Sequence, residues 1–427
     1  YTGTAISLGA NTLTLTGGGS LVSGGLTLND ASSKLLLNSI TVDSVSTSAD
    51  SSSGGLDVDN DSTVSSLSVA HITPVSIASG KILSGAITVT AGSIKLAETG
   101  TLASSISMSG GTLDADNSLT VSGTLTQSGA ITIDVADNKT LTYSGGNLNV
   151  GSHTLSIGGA GTFSNATGSP LVLNVADSIL NLTDNGTISG PVKLESGTLK
   201  STGSPTVSGA LTQYGDSTIE IAETKTLTYE GGAIEIGASA LSIIGGGIFA
   251  NNGSALELNN AASQLIFSRI TVDYIRATAD SLGIVVDNTS TVTNFTVGHV
   301  TPVSISPNQS FNGLIEVYSN SNLQLSNTGT LAANVKISGL GGKLEVQETM
   351  TFSGSMLQVA LHEGFELTIA AGKTMTYSGS EFEIGNHTFK LSGGGTFNNT
   401  NNLILDDPIS LLSISESTKI SRLQVND

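Results

Sequence analysis

The chain contains no cysteine and no tryptophan, and aromatic residues make up only 4% of it. Disulfide staples are therefore excluded, and the interior has to be built from Leu, Ile, Val and Ala rather than from large rings. A chain that avoids cysteine altogether is compatible with a repetitive extracellular protein. Arginine is almost missing: Arg269, Arg276 and Arg422 are the three in the sequence. With 15 basic residues against 34 acidic ones and a net charge of −19, there is no basic stripe to displace counterions from phosphates. That argues against a nucleic-acid partner and against anionic membrane surfaces. No stretch approaches the ~20 apolar residues of a spanning helix, so no membrane insertion is expected. Nor does any stretch show the 3.6-residue spacing with caps that a helix would need. The chain also lacks an initiator Met and a signal-like start, opens inside a repeat at Tyr1 and stops mid-pattern at Arg422–Asp427, which reads as a segment of a longer polypeptide.

What is present is glycine, 52 residues in 427, with abundant Ser, Thr, Asn and Leu and a hydrophobic fraction of 38%. This lies outside the disordered profile, which combines low hydrophobicity with high charge. The apolar residues alternate with polar ones in short runs such as Thr12–Thr16, Gly55–Val58, Ala86–Val89 and Ile131–Val135, the period of a half-buried strand. Between the runs stand corner pairs such as Asp116-Asn117, Asp137-Asn138 and Gly158-Gly159, residues that tolerate positive φ or bond their own backbone.

One block organises these runs. Lys139–Phe163, KTLTYSGGNLNVGSHTLSIGGAGTF, returns at Lys225–Phe249 and at Lys373–Phe397, and a clipped copy opens the chain at Tyr1–Leu21. Above it lies a longer period: Ile40–Asp43 matches Ile270–Asp273 and Ser62–Ile77 matches Ser290–Ile305, offsets of 230 and 228 positions. Such units cannot bury their apolar side alone, and stacking solves that problem. The expected fold is all-β: one continuous β-solenoid over 1–427, a right-handed parallel β-helix of roughly 20 coils, about 20 residues each and on the order of 100 Å long. Super-repeat copy 1 covers about 1–228 and an incomplete copy 2 about 229–427.

Coils such as Gly111–Val121 (GTLDADNSLTV) and Asn147–Ile157 (NLNVGSHTLSI) resemble the repetitive β-helix passengers of bacterial autotransporters and the filamentous-haemagglutinin type of adhesin. The resemblance implies a secreted, rod-like stalk or adhesin.

Candidate chemistry is sparse. His71 and His299 recur between the copies, each followed by Thr-Pro (Thr73-Pro74, Thr301-Pro302), with Asp50 and Asp280 one coil upstream. A His–Asp pair suits metal binding or proton transfer, but a structural corner fits better, the proline marking where a coil bends or a loop departs. His153 and His387 are replaced by Ser239 and Asn11 in the other block copies, and His362 beside Glu363 reads as a solvated turn. Asp57, Asp59 and Asp61 resemble the start of a calcium loop, yet Ser62 and Ser68 stand where Gly and Glu belong, and the second copy has Val285, Asp287 and Thr289. Asp114/Asp116 and Asp134/Asp137 are roughly one coil apart and could stack, as clustered carboxylates of a sugar cleft would, but each belongs to a turn that other copies build from Asn, Ser or Gly. Thr-x-Thr runs at Thr12, Thr88, Thr140 and Thr226 suggest ice-binding ranks but are irregularly placed, and Asn-x-Ser/Thr sequons occur at Asn165, Asn181, Asn185, Asn252, Asn294 and Asn398.

No catalytic, cofactor-binding or metal residue is therefore assigned, and no cofactor is expected. The sequence favours a non-enzymatic structural or adhesive segment of an extracellular, cell-surface repeat protein: a stalk, filament subunit or surface-layer component. Its partners would be more of the same chain, head to tail through unpaired strand edges, with glycans or a neighbouring cell surface as further candidates. A carbohydrate-active or carbohydrate-binding β-helix near His71 or His299 is the alternative.

Overall fold

In the computed structural model, residues 4–22, 24–338, 340–358 and 365–425 are described. Tyr1, His362 and Glu363 lie outside them. Every regular element among the described residues is a β-strand, from two to eight residues long. The chain divides into two compact units, Tyr1–Thr212 and Gln213–Asp427. Each is a β-solenoid: strands pair in parallel with those of the preceding and following coils, as in Thr12–Thr16 with Lys34–Asn38 and Gln264–Ser268 with Gly283–Asn288.

Among the described residues each unit has ten coils, counted by the strands of one of its sheets, from Thr12–Thr16 to Thr198–Ser201 in the first and from Ser217–Ile221 to Leu411–Ile414 in the second. Strict alternation puts one set of side chains inside. In the first unit Leu35, Leu56, Val75, Leu96, Ala115 and Val135 are successive register partners and all are buried. In the second, Leu265, Ile284, Val303, Leu325, Val346 and Ile369 form the same kind of column. Each buried aliphatic side chain contributes roughly 1.5–3 kcal/mol by leaving water, so a coil is held by its neighbours above and below.

The interior is more aromatic than the composition suggests. All ten Phe are buried, as are Tyr143, Tyr229 and Tyr377. In each full copy of the organising block the Tyr ring stacks on the Phe twenty residues later, with centroids 6.4, 6.2 and 6.0 Å apart. The buried phenols of Tyr143 and Tyr377 accept the backbone N–H groups of Leu125 and Met356 from the coil before (3.2 and 3.3 Å), which satisfies the polar tip of an otherwise apolar side chain.

Corners repeat as well. Buried Ser33, Ser178 and Ser263 each donate through Oγ to a glycine carbonyl one coil back, Gly9, Gly151 and Gly237, at 2.5, 2.6 and 2.7 Å. The same hydroxyls accept N–H groups from Asp30, Val175 and Asn260. One small hydroxyl thus closes its own turn and ties it to the preceding one.

Candidate functional site

The structure brings each His–Asp pair together. His71 Nδ1 lies 3.4 Å from Asp50 Oδ1 and His299 Nδ1 lies 3.8 Å from Asp280 Oδ1. In both copies the same carboxylate oxygen accepts the next backbone N–H, from Ile72 at 2.9 Å and from Val300 at 3.0 Å. The Asp is therefore a cap joining two coils, and the imidazole is a half-exposed neighbour of that cap. Among the described residues, no group of three or more His, Cys, Asp or Glu side chains is placed to hold a metal ion.

The prolines do not mark a bend. Pro74 and Pro302 sit inside the strands Ile72–Ile77 and Val300–Ile305 and pair in register with Lys95 and Gln324 on the following coil. On the preceding coil each faces a glycine with positive φ, Gly55 or Gly283, where a Cβ would stand 2.3 or 1.8 Å from the proline carbonyl oxygen. Regular pairing on that side starts one residue later, at Leu56↔Val75 and Ile284↔Val303. The missing N–H thus falls at a strand mouth, which is how the ladder tolerates proline.

The acidic run of the first unit disperses. Asp57 pairs with Lys34 (2.5 Å) and Asp61 accepts the Ile82 N–H (2.9 Å), so the two carboxylates serve different neighbours. The expected stacking of acids does occur: Asp114 and Asp134 are register partners, and Lys95 pairs with Asp114 at 3.2 Å. Burial first, then the Asp114 and Asp184 carboxylates, raise the Asp134 carboxyl above its ordinary range. Its proton is bound more tightly in the folded chain, so ionised Asp134 subtracts from stability as pH rises out of the ordinary carboxylate range, and the penalty vanishes below it. Asp134→Asn is expected to stabilise the first unit at neutral pH by up to about 1 kcal/mol, a gain limited by solvent screening. Denaturation midpoints compared at pH 7 and pH 3 should show the gain fading on acidification.

The Thr-x-Thr runs at Thr12, Thr140 and Thr226 face Lys34, Thr162 and Ile248 and form no common rank with Thr88, but one column of outward hydroxyls is in register. Thr27, Ser46, Ser68, Thr88, Ser107 and Thr126 are successive partners on one face of the first unit. Their order is hidden in the sequence because coils differ in length. Asn165, which heads one of the sequons, is buried and donates both amide hydrogens, to Ser169 O and Pro191 O, so in the folded chain it is not open to a glycan.

Two features were not anticipated. A groove of about 470 Å³ in the second unit, lined by Glu220, Gly246, Gly247, Arg269, Thr271 and Thr291, recurs in the first unit at about 350 Å³ with Gly18, Gly19, Ser39, Thr41, Asp61 and Thr63. Ser39 and Arg269, at matching places, both have positive φ (56° and 55°), an uncommon backbone state for such residues. The second feature is an ion-paired outward column in the second unit, with Arg276 on Glu257 and Lys336 Nζ 2.7 Å from Glu316 Oε1. The Lys336 ammonium, with the Ser338 hydroxyl, holds the Glu316 carboxyl below its ordinary range. Both features were legible only by aligning the copies at 228–230 positions and reading outward residues separately from inward ones.

No protein-family model, curated protein or solved structure matches the chain.

Proposed function

We propose that the chain is a non-enzymatic structural and adhesive segment of a large extracellular repeat protein, of the stalk or surface-filament kind that its resemblance to autotransporter passengers and haemagglutinin-type adhesins suggests. One observation carries this reading: what recurs between the copies is packing and corner bonding, the Asp50 and Asp280 caps with their neighbouring histidines included, while the other chemistry-bearing side chains are exchanged. The buried columns, stacked Tyr–Phe pairs and serine plugs persist. Asp57 and Asp61, by contrast, give way to Val285 and Thr289, and His153 to Ser239. A rod-like element gains surface by adding coils and depends on no single irreplaceable group.

Sugar cleavage would need two carboxylates facing each other across a bound substrate, whereas Asp114 and Asp134 are neighbours within one column, with Lys95 on the first. The purified chain should adhere to cell or matrix surfaces and release no reducing ends from a panel of polysaccharides. Release that is abolished in a folded His299→Ala or Asp134→Asn variant would replace this reading with an enzymatic one.

A further inference from the structure

On the second unit, Glu257, Arg276, Thr296, Glu316 and Lys336 are successive partners in one outward column. The matching column of the first unit is Thr27, Ser46, Ser68, Thr88 and Ser107. Immediately beside it, the inward column stays apolar in both: Ile275, Phe295, Ile315 and Val335 against Val45, Leu67, Ile87 and Ile106. Tyr274 and Tyr318 likewise stand where the first unit has Ser44 and Thr90. The same scaffold has therefore kept its interior and exchanged a plain hydroxyl face for one bearing two phenols and two ion pairs. Stability does not demand this change, because the first unit forms the same coils without it.

The chemistry of that face selects a class of partner. The two acids and two bases from Glu257 to Lys336 pair internally, Glu257 with Arg276 and Glu316 with Lys336, and Glu235, the next partner of Glu257, takes the Asn259 amide, so no base is left unpaired in this column on a chain whose net charge is −19. An anionic ligand gains nothing there. Donors and acceptors alternate at the ~4.8 Å spacing of paired strands, and charge-assisted hydrogen bonds to them are the strong kind. Tyr318 is 41% exposed, its hydroxyl is 3.4 Å from Glu316 Oε2, and the residue one coil back at its corner is Gly298, which leaves a step beside the ring. A partly exposed phenol next to polar forks offers an apolar ring to C–H groups and a polar rim to hydroxyls. The Arg269–Thr271 groove opens at the start of the same strand, Thr271–Ala277, across the corner at Tyr274 from Arg276.

We propose that this outward face, centred on Tyr274, Arg276, Glu316 and Tyr318, binds a neutral oligosaccharide. The inference rests on the adhesive reading above and names what the segment holds. The ring of Tyr318 packs against the C–H face of a sugar, while Arg276 donates to and Glu316 accepts from its hydroxyls. The test is calorimetric titration of the full chain with cellohexaose, mannohexaose and chitohexaose up to about 10 mM. At least one of the three is expected to bind, with Tyr318→Ala and, separately, Arg276→Ser weakening it by about tenfold or more. Thr90→Ala, at the matching place in the first unit, should leave it unchanged. Failure of all three sugars to bind, or binding indifferent to both Tyr318→Ala and Arg276→Ser, overturns the proposal. Surface adhesion that persists without sugar binding sinks this inference alone, and loss of adhesion as well sinks the proposed function with it.

Discussion

Gly313→Ala is expected to be among the most damaging single-methyl additions to the second unit, costing about 3–5 kcal/mol. Gly313 lies within the strand Ser310–Val317 at φ 118°, where the ladder to Ser290–Val297 shifts register between Val292 and Phe295. A Cβ there would stand 1.7 Å from the Val292 carbonyl oxygen, so the neighbouring strand has to move, and the left-handed backbone adds its own penalty. Gly85→Ala should act alike in the first unit, since Gly85 has φ 122° and its Cβ would stand 1.8 Å from the Val64 oxygen. Gly80→Ala is the control: its φ is 71° but nothing lies within 4 Å, so only the conformational cost of about 1 kcal/mol applies. Denaturant midpoints of the three variants decide the matter. Equal losses at Gly313, Gly85 and Gly80 would mean that the strands do not approach this closely.

Asn251→Ala should cost about 2–4 kcal/mol. Asn251 is fully buried; its amide donates to the Tyr274 carbonyl at 2.7 Å and to the Ser254 carbonyl, while its Oδ1 accepts the Tyr274 N–H at 3.0 Å. One side chain replaces a backbone rung at a corner, so truncation leaves both polar groups of Tyr274 without those partners. Asn399 does the same for Arg422, accepting its N–H at 3.1 Å and donating to its carbonyl at 2.7 Å. In the block copy at Lys139–Phe163 the residue that meets the corresponding asparagine is Pro191. Asn165 donates to the Pro191 carbonyl at 2.8 Å, but its Oδ1 is buried without a partner because proline has no N–H to give. Asn165→Ala should consequently cost less than Asn251→Ala. Hydrogen exchange at the corner amides, read alongside denaturation, will rank them, and the reverse order would overturn this account.

The solenoid was legible because alternation by two is a local signal: runs such as Thr12–Thr16 and Ile131–Val135 are strands with those bounds. The His71–Asp50 neighbourhood was also readable, since one coil of separation in sequence becomes adjacency in space. Three things were not. The aromatic core stayed hidden because ten Phe are dilute in the composition yet gather on the inward side. Pro74 reads as a breaker unless its glycine partner Gly55, nineteen positions earlier, is seen opposite it. The altered face of the second unit appears only once register is known, because Arg276 and Glu316 are forty positions apart in the chain and two rungs apart in the sheet. The buried asparagines were in plain view, each two residues after the Phe of the organising block (Phe163/Asn165, Phe249/Asn251, Phe397/Asn399), and comparing the copies a little past their aromatic end would have found them.

The serine plugs carry a consequence for how such a chain tolerates insertions and deletions. The plug at Ser33 spans 24 positions and that at Ser178 spans 27, whereas the Asp280 cap reaches its partner across only 20. Strand register is conserved while corner length floats, so gaining or losing a few residues between rungs is absorbed at the periphery. A single residue added within Ile94–Leu96 or Leu323–Leu325 would instead turn every later side chain of that rung inside out. Length changes in natural variants of this chain should accordingly fall at the turns, or come as whole coils, and engineered loops grafted there should leave both units folded.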